Sequence, residues 1–216
     1  MSTASIFDNY SGRYDSWFDR NRVIAEAEAR LVEMMVDKRP ILEVGVGTGF
    51  FASRVRAEAG LDPSLGMLSI ARRRLRGSLL VLGVGEKLPF RSSIFGAVVV
   101  VVTLCFVDDP EALLREAWRV LRPGGELVSC IVPLDSSWGR FYVEKGKKGH
   151  PLYSKARFLS RSSHVNLIES AGFSVVRELG VLSFKPWDEP RLEDPAPWNG
   201  DMGFVCAKAL KTLDRH

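Results

Sequence analysis

Ile41-Leu42-Glu43-Val44-Gly45-Val46-Gly47-Thr48-Gly49 is a short apolar run that ends beside an acid and enters glycines at every second position. An apolar run that turns sharply at glycines and leads into the periodic segment from Phe50 to about Glu58 reads as strand, turn and helix. Upstream, Ile24, Ala27, Leu31 and Met35 recur at helical spacing between Asn21 and Asp37, and Pro40 stops that pattern. Downstream the alternation repeats. A short strand near Ala59 to Leu61 ends in Asp62-Pro63, and Ser64 to Arg76 makes the next helix. Leu79 to Val84 and Ala97 to Val102 read as strands three and four, Asp109 to Leu121 as a helix, and Glu126 to Val132 as strand five after the turn Arg122-Pro123-Gly124-Gly125.

The fourth strand carries no polar alternation, as expected of a strand covered by helices on both faces of a parallel sheet. The fold class is therefore α/β, Rossmann-like and doubly wound. Ser160 to Ala171 reads as a helix ended by Gly172, and Phe173 to Val181 with Gly203 to Ala209 as an antiparallel pair at one edge. Two stretches, Leu134 to Arg157 and Leu182 to Asp201, show no regular pattern, and unstructured connections that long are expected to work as lids or binding segments. The expected organisation is one domain over 1–216, with an amino-terminal lid and helix at 1–38, a cofactor-binding core at 39–133, and acceptor-side loops at 134–159 and 182–201.

Ligands of open α/β sheets bind outside the carboxyl ends of the strands. Asp62 closes the second strand 19 positions after Glu43, where a carboxylate can accept hydrogen bonds from both hydroxyls of a ribose, a geometry common to nicotinamide dinucleotides and S-adenosylmethionine. The glycines speak against a dinucleotide. Pyrophosphate binding needs G-x-G-x-x-G, and Phe50 stands where the last glycine would fall.

Five segments follow one another in order: Phe7-Asp8-x-Tyr10 with Tyr14-Asp15-x-Trp17-Phe18, the glycine turn 41–49, Leu61-Asp62-Pro63-Ser64-x-x-Met67-Leu68, Gly85-Glu86-Lys87-Leu88-Pro89-Phe90, and Leu121-Arg122-Pro123-Gly124-Gly125. With them the sequence resembles the class I S-adenosylmethionine-dependent methyltransferases, in the branch of the ubiquinone and menaquinone biosynthesis enzymes. The resemblance covers roughly 7–181. It implies a mostly parallel sheet of about seven strands with the last antiparallel, and S-adenosylmethionine as cofactor. It places Glu43, Gly45, Gly47 and Thr48 around the methionine part and ribose, Asp62 on the ribose hydroxyls, Met67 on one adenine face, and Gly85 at the adenine ring. Val101 falls beside the methionine portion, and Tyr14 reaches the cofactor carboxylate. The chain departs from the family at Val84, where an Asp or Asn often takes the adenine amino group and which Glu86 could replace, and at Gly96, where Asp is usual.

A sulfonium methyl is already activated, so transfer chiefly needs a nucleophile held about 3–3.5 Å from the methyl carbon, in line with the sulfur, and dry surroundings. No metal is expected, and a general base only if the acceptor must lose a proton. Tyr10, Thr103, Cys105, Asp135, Tyr142, His150 and Tyr153 are the acceptor-side candidates. No catalytic residue is singled out. His150 and the lysines at 145, 147 and 148 read first as a solvated basic loop, and Arg72, Arg73, Arg74 and Arg76 as a solvated helix face.

The net charge of +4 is modest, not gathered in a tail, and decides nothing alone. The five ordered segments and the two irregular stretches make a small-molecule methyl acceptor, rather than a nucleic acid, the leading expectation. The alternatives are an RNA or protein acceptor, or a non-catalytic adenosylmethionine-binding protein of the same fold. Cys105, Cys130 and Cys206 lie singly in apolar stretches and read as buried thiols. Met1 to Tyr10 lack a secretory pattern and the longest apolar run, Ala97 to Val107, is shorter than the ~20 residues of a membrane helix, so a cytoplasmic protein is expected. Glutamine is absent and arginine far exceeds lysine, which suits a heat-adapted source.

Overall fold

The computed structural model describes residues 3–212. Its seven strands are β1 (Ile41–Val44), β2 (Ala59–Asp62), β3 (Leu79–Leu82), β4 (Phe95–Val101), β5 (Leu121–Ile131), β6 (Phe173–Val181) and β7 (Phe204–Lys211), in the sheet order β3-β2-β1-β4-β5-β7-β6. The first five run parallel, and β7 enters between β5 and β6 antiparallel to both. The chain therefore reverses its direction of travel across the sheet between β1 and β4, which opens a crevice at their carboxyl ends.

Among the described residues seven helices cover the sheet: α1 (Thr3–Arg20), α2 (Arg22–Met35), α3 (Phe50–Val55), α4 (Leu65–Arg74), α5 (Pro110–Val120), α6 (Ser137–Lys147) and α7 (Arg161–Ser170). Successive strand residues point to opposite faces, yet all of β4 is buried. Val99 and Val101 enter the core beneath α2 and α3, while Val98 and Val100 enter the core beneath α5. Two apolar layers, one per face, account for a strand with no polar residue.

Local chemistry sets the element ends. Ser64, Asp109, Ser136 and Ser160 each accept a backbone N–H at a helix start, a cap worth about 1 kcal/mol. The helices expected at 64–76 and 109–121 begin one residue later because those residues are caps. The turn 122–125 lies inside β5: Phe95 pairs with Leu121 and Ala97 already with Glu126, so the intervening residues bulge outward with Gly124 at φ +68°. Gly96 lies at the same irregularity. A Cβ there would stand 2.3 Å from the Arg39 carbonyl oxygen, so the family's usual Asp has no room.

Several expectations are corrected. The stretch 134–157 is not a loop, since α6 occupies Ser137–Lys147; its Gly139 and Gly146 break the apolar periodicity because the backbones at Pro133 and Tyr153 approach where a Cβ would stand. The helix α1, unread in the sequence, precedes α2. Cys130 and Cys206 are not free thiols: they face each other in register across β5 and β7, 4.0 Å apart at Cα, and form a disulfide. Only alignment in space brings together residues 76 positions apart. Cys105 is free and buried. Among the described residues no helix is long and apolar enough to cross a membrane.

Candidate functional site

The glycine turn after β1 is held by its own backbone. The N–H groups of Gly45 and Val46 both donate to Leu61 O, at 2.8 and 2.9 Å, and Gly49 N–H donates to Val46 O. Gly45, Gly47 and Gly49 have φ of +76, +52 and +80°, a region that favours residues without Cβ. Their environments differ. A Cβ on Gly45 would strike the Thr103 side chain at 2.3 Å, whereas one on Gly47 would meet nothing nearer than the Tyr14 ring edge at 3.7 Å. Thr103 is fixed by donating to Val44 O and Val101 O.

Asp62 completes this wall. Its two carboxylate oxygens each accept a 2.9 Å hydrogen bond, one from Gly47 N–H and one from Ser64 N–H. Burial pushes its carboxyl up to about 6 against the opposing effect of those two bonds. Glu43 is almost fully buried, one of its oxygens has no hydrogen-bond partner, and burial together with the charge of Asp62 holds its carboxyl well above the usual range. Thr48 turns the other way, where its hydroxyl and carbonyl both accept from Arg74. Arg74 also pairs with Asp15 of α1 at 2.9 Å, so it bridges turn and helix while Arg72, Arg73 and Arg76 stay exposed.

The turn opens into a cavity of about 610 Å³, within the ~300–1,000 Å³ of small-ligand sites. Tyr14, Gly45, Gly47, Asp62, Met67, Val84, Gly85, Glu86 and Val101 all lie on its wall; Glu43 and Thr48 do not. Gly85 cannot carry a side chain, because Leu113 and Val44 stand 2.6 and 2.9 Å from its Cβ position. Glu86 accepts the Asp108 N–H at 3.1 Å, which fixes the loop after β4. Val102, just past β4 on the same wall, has φ +50°, an uncommon value for a β-branched residue.

The opposite wall is helical and aromatic. Asp8 accepts from Ser64 Oγ at 2.6 Å and Gly66 N–H at 2.9 Å, which seats α1 on the start of α4, and Phe7 packs edge-on against Phe106 at 5.1 Å. Tyr14 and Phe18 continue this row toward Phe50. Tyr142 of α6 and Tyr153 have ring centroids 4.5 Å apart, and His150 stacks on Tyr153 at 4.3 Å. His150 is thus part of the cavity wall, and burial, then the Lys145 charge, lowers its pKa. Tyr10 and Thr103 also line the cavity; Cys105 and Asp135 do not. Burial pushes the Cys105 thiol up to about 12. None of the segment 182–201 lines the cavity. It backs α6 instead, where Phe184 O accepts the Trp138 indole N–H at 2.7 Å.

Glu28 of α2 was not among the sequence candidates. It lies on the cavity wall, 8% exposed, and burial alone pushes its carboxyl up to about 8. The available signal was an acid at helical spacing from Ile24, Leu31 and Val32, on the apolar stripe.

The strand-end wall fits an adenosine-bearing sulfonium. Asp62 lies on the wall with a carboxylate that could accept from vicinal hydroxyls, and Gly47 leaves its backbone open to close approach. Residues 42–129 match the methyltransferase domain family model. A Streptomyces griseus demethylmenaquinone methyltransferase is 34% identical over 77% of this chain and 77% of its own. An uncharacterized protein of Methanocaldococcus jannaschii is 33% identical over 96% of this chain and 99% of its own. A Thermotoga maritima crystal structure, described as an S-adenosylmethionine-dependent methyltransferase and possible histamine N-methyltransferase, is 34% identical, covers 97% of this chain and all of its own, and superposes with a TM-score of 0.90. The chain belongs to the class I S-adenosylmethionine-dependent methyltransferases, in the branch that includes the demethylmenaquinone enzymes.

Proposed function

We propose that this enzyme methylates a small molecule held between the strand-end wall and the aromatic helical wall of its cavity. The observation that carries this reading is the roof. The helix α1 is anchored through Asp8 and Asp15 over a concave site lined by rings, a shape that encloses a small acceptor and keeps water from the transfer. Both named relatives given above refer to small aromatic molecules, which supports the same class of acceptor. A nucleic-acid acceptor has less support, because Lys147 pairs with Glu144 and Lys145 rests on the Phe141 ring.

In this reading the cofactor supplies the methyl group when bound, and the chain binds, orients and excludes water. Asp62 holds the ribose hydroxyls. Gly45, Gly47, Glu43 and Thr48 shape the turn around the methionine part and ribose, Val101 lies beside that part, and Tyr14 reaches its carboxylate from α1. Met67 covers one adenine face, Gly85 presents backbone to the ring, and Val84 and Glu86 border it. The segment 1–38 is lid and helix, 39–133 the cofactor core, 134–159 the acceptor side and 182–201 its support, in one domain over 1–216. A cytoplasmic location in a heat-adapted cell goes with this reading, since intracellular disulfides persist in hyperthermophiles.

The test is methyl-labelled S-adenosylmethionine incubated with the enzyme and a fractionated cell extract. Label is expected in the small-molecule fraction. Label in RNA or protein instead overturns the proposed acceptor class.

A further inference from the structure

The inner face of α2 carries Ile24, Ala27, Leu31, Val32 and Met35 into the core, and Glu28 interrupts it. Among the described residues its carboxylate has no hydrogen bond and no ion pair, although 92% of the residue is buried (8% exposed), and it borders the cavity. A buried acid without a partner is destabilising unless a ligand completes it. Its near neighbour Glu26 shows the alternative, paired with Arg30 and Arg54 on the outer face.

The groups around Glu28 set the chemistry of what would complete it. Tyr14 from α1, Tyr142 from α6 and Tyr153 from the following segment line the same cavity. Arg13, Arg20 and the His150 ring, whose pKa burial lowers, also line the cavity and make no hydrogen bond or ion pair to Glu28 among the described residues. An acid among aromatic rings is suited to a cation, which the ring faces attract as well. A neutral acceptor would leave the acid protonated and would gain no charge-assisted hydrogen bond from it.

Resting on the small-molecule reading above, we propose that the acceptor carries a basic amine and that Glu28 binds its ammonium form and takes a proton from it. The ammonium nitrogen gives one proton to the Glu28 carboxylate, which frees the nitrogen lone pair. That pair forms the new N–C bond with the methyl carbon as the C–S bond breaks and its electrons stay on sulfur. The product leaves as a methylated ammonium, and the proton on Glu28 passes to solvent. At neutral pH the unliganded Glu28 holds a proton, because its carboxyl is pushed up to about 8, so ammonium binding itself releases a proton.

The test uses the whole chain at pH 7. Calorimetry is run first with S-adenosylhomocysteine, then on that complex with benzylamine, 2-phenylethylamine and tyramine, and with 2-phenylethanol as the neutral counterpart, in two buffers of different ionisation enthalpy. At least one amine is expected to bind about tenfold or more tighter than the alcohol, the loss of one charge-assisted hydrogen bond, with release of about one proton. Glu28→Gln is expected to remove that preference and the proton release while S-adenosylhomocysteine affinity stays the same. Infrared difference spectroscopy at pH 7 should show loss of one protonated carboxyl on amine binding, a difference band absent in Glu28→Gln, while the Glu43 carboxyl contributes equally before and after. Binding of S-adenosylhomocysteine without any amine, or an amine that binds Glu28→Gln as it binds the parent, overturns the assignment of Glu28 and leaves the cofactor site standing. Failure of the parent to bind S-adenosylhomocysteine overturns the cofactor-site reading and this one with it.

Discussion

The two walls of the cavity are built on opposite plans. The strand-end wall is closed upon itself: both Asp62 oxygens have backbone donors, Gly45 and Val46 share one carbonyl, and Thr103 fills the space above Gly45. The helical wall leaves Glu28 without a protein partner amid aromatic rings. A wall that is complete by itself can receive the same cofactor in every member of a fold. On the reading proposed above, the wall with an unpartnered acid is where the acceptor is discriminated.

Both walls stand on a sheet fastened by Cys130–Cys206, and the largest expected effect lies there. The bridge closes 76 positions of chain, which by loop entropy stabilises the fold by about 4.5 kcal/mol. Replacing both cysteines by alanine should lower the melting temperature by about 10 °C. The helical wall should loosen first, because Phe204 of β7 stacks on Phe51 on its side of the sheet. Hydrogen exchange that rises equally on both walls would break the comparison.

Next comes the pH dependence carried by Glu28. Its carboxyl lies at about 8 in the fold against an ordinary 4.5. Below 4.5 both folded and unfolded chains hold the proton; between 4.5 and 8 the unfolded chain releases it and the fold does not, so rising pH lowers stability. The cost at pH 9 is on the order of 4 kcal/mol. Glu28→Gln should therefore be more stable than the parent in urea at pH 9 and about equal at pH 4. Glu26 has the opposite sign: hydrogen bonds from Arg54 and Arg30 hold it at about 2, so its contribution is present above 4.5 and fades as pH falls through 2. A Glu28→Gln advantage that does not grow with pH would remove the contrast between the walls.

On the strand-end wall, Asp62→Asn leaves an amide where one oxygen becomes a donor and faces a backbone N–H. S-adenosylhomocysteine affinity should fall about 30- to 100-fold, the ~2–3 kcal/mol of a hydrogen bond to a charged group. Amine binding to Glu28 should persist. Unchanged cofactor affinity would mean that the ribose lies elsewhere.

The strand-end wall was also the legible one. Its glycine turn and Asp62 sit within 41–62 and are read by local rules: glycines at positive φ, an acid at a strand end, and an apolar run into a turn. The helical wall draws on α1, α2, α6 and 150–158, and no local rule joins them. Glu28 stands on the apolar stripe of α2 in a helix that also carries Glu26 and Glu33, and the cavity lining shows that it faces inward. The aromatic spacing Phe7, Tyr10, Tyr14, Trp17 held a signal for α1, and Trp138, Phe141, Tyr142 one for α6 that Gly139 and Gly146 obscured. The disulfide depends on the β5–β7 register, which the sequence of either strand alone does not contain.

The smallest effect probes Val84 on the rim of the strand-end wall, one of two departures from the resembling family; the other, Gly96, lies at the amino end of β4, away from the cavity. The two departures are physically different. Gly96 is crowded by the Arg39 carbonyl, so Gly96→Asp would disturb the start of β4. Val84 is 48% exposed and borders the cavity, so Val84→Asp sacrifices little packing and places an acceptor where the family takes the adenine amino group. One added hydrogen bond of about 1 kcal/mol should tighten S-adenosylhomocysteine about fivefold, with no change for S-inosylhomocysteine, whose ring lacks that amino group. Equal tightening of both ligands would mean that the gain is not adenine recognition. No tightening of either would assign the amino group to Glu86, whose carboxylate already holds the Asp108 backbone on the same wall.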